Sequence, residues 1–286
     1  MSALILRHNW TRQPQVPVGI NWDNPSSDKL LWLINPATGL FYDAVSGVHY
    51  SPTTVTKGFL SNQRINTFSN KFESATFPRF PVGSDVSVLI NANPTATTAA
   101  LFCQRLASDN NHIEIRAAHP DAGKISFRAS SGARSNSSIC QGAATLDGRW
   151  HSILCTATVD TVLSKNTENI YINGVQGQAY NSGGSLDSTA AVAFAGLPGS
   201  TAIPYSRDMG LCAGWLRALS ADEARRLYLN PWQLLRLMQR RLWVVGEASA
   251  GTDNLTATDL VTGSPVLGTP ALGQAHALTA TGITTS

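Results

Sequence analysis

Trp150-His151-Ser152-Ile153-Leu154-Cys155-Thr156-Ala157-Thr158 and, after a loop, Asn169-Ile170-Tyr171-Ile172-Asn173-Gly174 decide the fold. Both runs are rich in β-branched and aromatic residues and read as strands. Asn173-Gly174 is the strongest two-residue turn signal in the chain, because both residues tolerate positive φ. Moving outward, the same kind of segment recurs. Asp85-Val86-Ser87-Val88-Leu89-Ile90 places Val86, Val88 and Ile90 on one face of a strand. His112-Ile113-Glu114-Ile115-Arg116 alternates, with Ile113 and Ile115 inward and Glu114 toward solvent, and Lys124-Ile125-Ser126-Phe127-Arg128 does the same. The turn-rich Ala118-His119-Pro120-Asp121-Ala122-Gly123 between them predicts a hairpin. Ala191-Val192-Ala193-Phe194-Ala195 is a further strand. Many short strands, regular turns and almost no helical periodicity over residues 28–219 predict an all-β fold, a two-sheet antiparallel jelly-roll sandwich.

Composition agrees with a large β-domain. Hydrophobic residues make up 43% of the 286, enough for a packed core, while charged residues are only 14%, well below the roughly 25% of an ordinary globular chain. The net charge of +3 is too small to argue for nucleic acid. Cys103, Cys140, Cys155 and Cys212 form no CxxC pair and stand apart from any zinc-finger spacing, so they are expected as buried thiols in strands. The apolar run Ala3–Leu6 is broken by Arg7, His8 and Asn9, too short for a signal-peptide core. No stretch approaches the ~20 apolar residues of a membrane span. The expectation is a protein made in a cytoplasm and not inserted in a membrane.

The chain divides by composition into four parts. Residues 1–27 form an N-terminal arm carrying Pro14, Pro17 and Pro25 with Trp10 and Trp22. Its tryptophans are expected to pack either on the chain's own sandwich or on a neighbouring subunit. Residues 28–229 are the jelly roll. It ends on Ser220-Ala221-Asp222-Glu223, a capping box that starts a short helix with Ala224, Leu227 and Tyr228 on one face. Residues 230–245 are expected as a second, basic helical segment, capped by Asn230, with Pro231 at its first position and Arg236, Arg240 and Arg241 along it. Trp232, Leu235 and Met238 interleave those arginines, which either face water or meet an acidic partner. Residues 246–286 hold no Lys, Arg or aromatic residue and form an extended repeat tail. Gly263-Ser264-Pro265-Val266-Leu267 is followed directly by Gly268-Thr269-Pro270-Ala271-Leu272, and Leu255-Thr256-Ala257-Thr258 recurs as Leu278-Thr279-Ala280-Thr281. Such repeats gain stability by stacking on copies or on another surface; the alternative is a flexible tail.

Arg149-Trp150-His151-Ser152-Ile153 with Ile170-Tyr171-Ile172-Asn173-Gly174-Val175 resembles the paired central strands of laminin-G-like and pentraxin-like domains, within the concanavalin A-like lectin/glucanase fold. Trp215-Leu216-Arg217-Ala218-Leu219-Ser220 resembles the family's closing strand, and Tyr42-Asp43-Ala44-Val45-Ser46-Gly47 its early Asp-x-x-Gly turn. The likeness covers about residues 28–229. Thr11-Arg12-Gln13-Pro14-Gln15, Gly19-Ile20-Asn21-Trp22-Asp23-Asn24-Pro25 and Asn230-Pro231-Trp232-Gln233-Leu234-Leu235 are similar to the flanks of phage and prophage proteins of this fold. The Pro/Leu repeat tail is similar to prophage tails as well. The resemblance implies a bacteriophage virion structural protein: a head decoration, fibre or tail-associated subunit that contacts capsid or tail proteins as a homo-oligomer. Its implied location is the virion. The alternative is a lectin-like module for host attachment through surface polysaccharide.

Catalysis is not expected. A retaining glycosidase needs two carboxylates about 5–5.5 Å apart. Glucanases of this fold carry Glu-x-Asp-x-x-Glu, which is absent here. The acids of the sandwich are scattered: Glu73, Asp85, Asp109, Glu114, Asp121, Asp147, Asp160, Glu168, Asp187 and Asp208. No Gly-x-Ser-x-Gly elbow occurs, and His151 reads as structural. No cofactor is expected and no metal ligand is assigned, although laminin-G-like domains hold calcium at a rim and Asp160 and Asp208 are loop candidates. For sugar contact, Asn110, Asn111, Tyr180 and Asn181 are placed in loops.

Overall fold

The computed structural model describes residues 13–14, 18–36, 41–50, 54–60, 63–81, 83–105, 112–119, 123–130, 140–142, 146–160, 162, 165–183, 191–200, 203–237, 243–245, 255–259 and 265–268. They fall into two compact units, Met1–Leu237 and Met238–Ser286. Strands are numbered in chain order.

The first unit is a two-sheet antiparallel sandwich. One sheet has six strands in the order β10 (Cys140–Gln141), β9 (Ile125–Ser130), β8 (His112–Ala117), β7 (Ala99–Arg105), β15 (Ala191–Phe194) and β5 (Phe72–Ser74). The other runs β13 (Val175–Gln176), β12 (Lys165–Ile172), β11 (His151–Asp160), β6 (Val86–Ala92), β16 (Asp208–Trp215), β4 (Gln63–Phe68) and β3 (Val55–Leu60). In this larger sheet β14 (Tyr180–Gly183) also pairs with β12, and β2 (Leu30–Ile34) with β16. The expected jelly-roll sandwich is therefore present. The hairpin between β8 and β9 pairs Ile113 with Ala129 and Ile115 with Phe127. Asn173 and Gly174 both take positive φ, 54° and 75°, and turn β12 into β13.

The alternation read from sequence sets the core. Val86, Val88, Ile90, Ile113, Ile115, Ile125, Phe127, Ile153, Ile170 and Ile172 all lie in the cluster between the sheets. At its centre Trp32 of β2 stacks on Phe102 of β7, with ring centroids 5.8 Å apart. Its edges meet Phe77 and Phe194, each at 5.4 Å. Gly214 of β16 makes this placement possible, since a Cβ there would lie 2.6 Å from the indole Cζ2 and Nε1. Along one edge the sandwich is closed by side chains. The Ala129 amide donates to Glu168 Oε1 at 2.7 Å, and Asn166 Nδ2 donates to the Ala129 carbonyl at 2.5 Å. Two residues of β12 thus satisfy the β9 backbone at Ala129, beyond the two residues of β9 that pair with β10. Cys103, Cys155 and Cys212 are buried thiols outside any disulfide; burial pushes the Cys212 thiol up to about 12. The side chain of Cys140 lies outside the described residues.

Glu114 differs from expectation. It is buried, not solvated, and pairs with Arg116. The alternation is correct, but the outward face of the six-stranded sheet is also covered: Cys103, Glu114 and Arg128 lie side by side on β7, β8 and β9, all buried. A buried carboxylate requires a cationic or hydrogen-bonding partner.

A second apolar layer covers the outward face of the larger sheet. Leu33, Leu89, Leu154, Tyr171, Leu211 and Trp215 point there and meet Leu219, Ala224, Leu227, Trp232, Leu234 and Leu235. The helix α1 (Ala221–Leu229) has the predicted capping box: the Glu223 amide donates to Ser220 Oγ, and the Ser220 amide donates to Glu223 Oε2. Ala224 and Leu227 are buried, whereas Tyr228 sits at the margin of that face, 44% exposed, beside Gly174.

The second helix does not form. Pro231–Leu234 is a single 3-10 turn, followed by β17 (Leu235–Leu237). That strand pairs antiparallel with β1 (Val18–Ile20), in the register Val18–Leu237 to Ile20–Leu235. Pairing and burial of Trp232, Leu234 and Leu235 outweigh helix propensity here. Asn21 and Asn24 amides donate to the Gln233 carbonyl at 3.2 and 3.1 Å, and Arg236 meets Asp23 at 3.3 Å. The arm from Val18 onward therefore lies on its own sandwich, with Trp22 53% exposed. Trp10, Arg240 and Arg241 lie outside the described residues. The second unit contains one three-stranded antiparallel sheet, β18 (Trp243–Val245), β19 (Leu255–Asp259) and β20 (Pro265–Gly268). The first Leu-Thr-Ala-Thr copy is in β19, and the first Gly-x-Pro-x-Leu copy supplies β20; the later copies lie outside the described residues, apart from Gly268.

Two outcomes follow. Gly214→Ala forces a methyl into the indole ring and should destabilise the sandwich by about 1–3 kcal/mol, read as a lowered urea midpoint at unchanged slope; an unchanged midpoint contradicts the packing. Burial raises the Glu223 carboxyl, but Arg217, at 2.6 Å, and the Ser220 donors outweigh it and hold it below the ordinary 4.5. A depressed folded value gives stability present above the unfolded value and lost as pH falls through the folded one. Urea midpoints should therefore fall on acidification below that range, and fall less steeply in Glu223→Gln.

Candidate functional site

One end of the sandwich gathers three loops. Residues 93–98 join β6 to β7, residues 146–150 lead into β11, and residues 203–207 lead into β16. The first two are tied by the antiparallel bridge between Thr95 and Asp147 and by the Gly148 amide donating to the Pro94 carbonyl at 2.9 Å. The third is anchored from below by Tyr205. Its hydroxyl is 3.1 Å from the Asn93 amide, 2.9 Å from Asn93 Oδ1 and 3.2 Å from the Asp208 carbonyl. Burial pushes the Tyr205 phenol well above its usual value, so it stays protonated and keeps donating.

Between these loops lies a cleft of about 230 Å³ lined by Thr95, Thr97, Ala99, Pro204, Tyr205, Ser206 and Arg207. Ser206 Oγ donates to the Ser69 carbonyl at 3.3 Å. The Thr95 and Thr97 hydroxyls and the Arg207 guanidinium make no hydrogen bond or ion pair with the described residues. Ala99 and Pro204 add apolar wall. Gly148, at φ 76°, brings its turn close: a Cβ there would lie 3.6 Å from Thr95 Cγ2 and 4.0 Å from Arg207 Nη1.

The turn beside the cleft is held by the residues that decided the fold. The Ser152 amide donates to Asn173 Oδ1 at 3.0 Å, which fixes which way the Asn173 amide faces. Its Nδ2 is then 3.0 Å from His151 Nδ1, which must accept. His151 Nε2 therefore carries the proton and donates to Asp147 Oδ1 at 3.2 Å. Asp147 also accepts from the Arg149 amide at 2.9 Å, and its carboxyl is held below the usual range by that bond first and by His151 second. His151 is buried and bonded at both ring nitrogens, and what it positions is the rim. Trp150 lies over Gly210 and Asn91 on the outward face of the larger sheet.

The sequence-nominated residues fall elsewhere. Tyr180 and Asn181 are not in a loop but in β14, where Asn181 Oδ1 accepts from Thr167 at 3.1 Å and Tyr180 packs against the core. Asn110 and Asn111 lie outside the described residues, as do Asp109, Asp121 and Asp187. Asp160 closes β11 and accepts from the Val162 amide at 2.9 Å, while Asp208 opens β16 and accepts from Thr67 at 2.7 Å. The two do not form a metal centre: among the described residues no cluster of three or more His, Cys, Asp or Glu side chains is placed to hold an ion. The remaining described acids of the sandwich are engaged. Glu73 meets Lys71 at 2.6 Å, Asp85 accepts from the Val159 amide at 2.8 Å, and Glu114 and Glu168 have the partners given above. Thr95, Thr97 and Arg207 were not nominated, because they are single loop residues brought together only by folding.

No helix among the described residues is long and apolar enough to cross a membrane. A comparison with curated proteins finds no match. Solved structures match in fold. Domain 4 of an extracellular arabinanase from Geobacillus stearothermophilus, solved with arabinotriose, shares 14% identity over 70% of this chain and 98% of that one, with a TM-score of 0.46. The binding domain of botulinum neurotoxin serotype G shares 13% over 70% of this chain and 50% of that one, with a TM-score of 0.50. A Trypanosoma rangeli sialidase, solved with 2,3-difluorosialic acid, shares 11% over 71% of this chain, at a TM-score of 0.50. This chain spans about half of the toxin domain and 33% of the sialidase. A family model matches residues 69–225, more than half of the sequence. That span runs from the end of β4 into α1 and contains the central strands, the Asn-Gly turn and the cleft, so the chain belongs to the concanavalin A-like lectin/glucanases superfamily.

Proposed function

We propose that the sandwich is a non-catalytic recognition module that binds a carbohydrate in the cleft between residues 93–98 and 203–207. The observation that carries this reading is that two threonines and an arginine line the cleft, with their hydroxyls and guanidinium making no hydrogen bond or ion pair with the described residues. Hydroxyls donate and accept and guanidinium donates, a set that suits the hydroxyls of a sugar. Membership of a lectin-containing superfamily supports the same reading at the level of fold. Glu73, Asp85, Glu114, Asp147, Asp160, Glu168 and Asp208 are all engaged by backbone amides, a threonine hydroxyl or cationic side chains, which supports a role without acid–base chemistry. Thr97→Trp fills the cleft from an exposed position, so it should abolish binding on a glycan array while leaving the thermal midpoint within about 2–4 °C. Binding that survives this substitution places the sugar elsewhere.

A second reading concerns where the module is displayed: as a structural component of a bacteriophage particle, whether head decoration, fibre or tail-associated subunit. It is favoured by the separate second unit, whose paired strands come from a repeat without Lys or Arg. The segments 18–24 and 230–237 are committed to each other, so attachment falls to residues 238–286 or to the arm before Val18, and truncation tests the first of these. The protein should then appear in many copies by mass spectrometry of purified particles, and a chain truncated after Glu247 should be missing from them. Particles that lack the full-length protein sink this reading, and incorporation of the truncated chain refutes the attachment role.

A further inference from the structure

We infer that the sugar taken by this cleft carries a carboxylate, so that the preferred ligand is an acidic glycan held through Arg207. The inference rests on the cleft reading and sharpens it. Among the described residues Arg207 is the one charged side chain lining the cleft, and its guanidinium makes no ion pair with them. The nearby anion, Asp147, does not neutralise it. Asp147 is already engaged by His151 Nε2–H, by the Arg149 amide and by the Arg149 side chain at 3.4 Å. Arg149, 85% exposed, is tied to that same Asp147, and the Asp208 carboxylate accepts from Thr67 at 2.7 Å. The Arg207 guanidinium is thus left available to an incoming anion.

The shape of the group narrows the anion. A guanidinium presents parallel N–H donors in one plane, which match the two oxygens of a carboxylate. Thr95 and Thr97 line the same cleft, and their hydroxyls suit ring hydroxyls beside that carboxylate. The cleft volume, about 230 Å³, lies below the ~300–1,000 Å³ of sites for larger ligands. It suits contact with a single sugar unit. Among the described residues no carboxylate cluster is present to bridge an anion through a metal ion, so the guanidinium meets the ligand directly.

The test is an array of matched glycans, each neutral oligosaccharide paired with its uronic-acid or sialylated counterpart and with a sulfated one, probed with the full chain, Arg207→Ala, Arg207→Lys and Thr97→Trp. The expected result is binding to carboxylated members, at least tenfold weaker in Arg207→Ala and only partly restored by Arg207→Lys. Equal thermal midpoints keep the loss attributable to the site. Neutral glycans bound as well as acidic ones, or acidic binding indifferent to Arg207→Ala but lost in Thr97→Trp, overturn the acidic preference and leave the cleft reading standing. Sulfated and carboxylated members bound alike overturn the carboxylate assignment. No binding to any glycan overturns both.

Discussion

The sandwich depends on one close approach, the Trp32 indole lying across Gly214. Trp32 belongs to the larger sheet, yet its ring meets Phe102 and Phe194 of the smaller one. It is the piece that fixes the spacing of the two layers. The indole N–H has no hydrogen-bond partner among the described residues, a cost of about 1–3 kcal/mol. Contacts with four rings, each worth roughly 0.5–1.5 kcal/mol beyond burial, are what offset it. Around this centre the pattern of small against large is strict, and the neighbouring strands have little freedom to shift.

The outward face of the larger sheet adds a second constraint. Jelly-roll sheets commonly leave one face to solvent, but here Leu33, Leu89, Leu154, Leu211 and Trp215 demand cover. The helix α1 supplies part of it, and the paired segments β1 and β17 supply the rest. Trp215 Nε1 donates to the Ser26 carbonyl at 2.7 Å, and Arg217 reaches the Asp28 and Pro25 carbonyls. Residues 18–24 and 230–237 thus meet each other, and Trp232, Asn21 and Asn24 serve the fold.

Most of the sandwich was legible because period-two alternation and turn chemistry are local. Val86, Val88, Ile113, Ile115 and the Asn173-Gly174 turn behave as the sequence implies, and so does the Ser220–Glu223 box. Misreadings arose where tertiary contact overrules the local signal. Glu114 alternates like a solvated residue, yet its face is covered. Asn230-Pro231 reads as a helix start, yet strand pairing with Val18–Ile20 takes the chain. The cleft was invisible for a different reason. Thr95, Thr97 and Arg207 come from segments about 110 residues apart in a chain whose loops are full of Thr and Ser, and nothing periodic links them. A partial signal did exist: the Trp-His strand and the Asn-Gly turn pointed to the turn at Asp147 without revealing what it borders.

The proposed site borders on a framework that is itself tied down. The outward face of the larger sheet is covered by α1 and the paired strands β1 and β17, and on the smaller sheet Cys103, Glu114 and Arg128 are buried too. The loops around the cleft are held more firmly than loops usually are. Tyr205 pins residues 203–207 to Asn93, and the Asn173–His151–Asp147 chain of hydrogen bonds pins residues 146–150 to the central strands. A ligand entering between them meets side chains whose backbone needs little further ordering. Weak binders such as sugars gain most from that arrangement, because each hydroxyl contact contributes little net free energy and any ordering cost is subtracted from it. The same hydrogen bonds that close the fold at its central strands thereby set the rigidity of the rim.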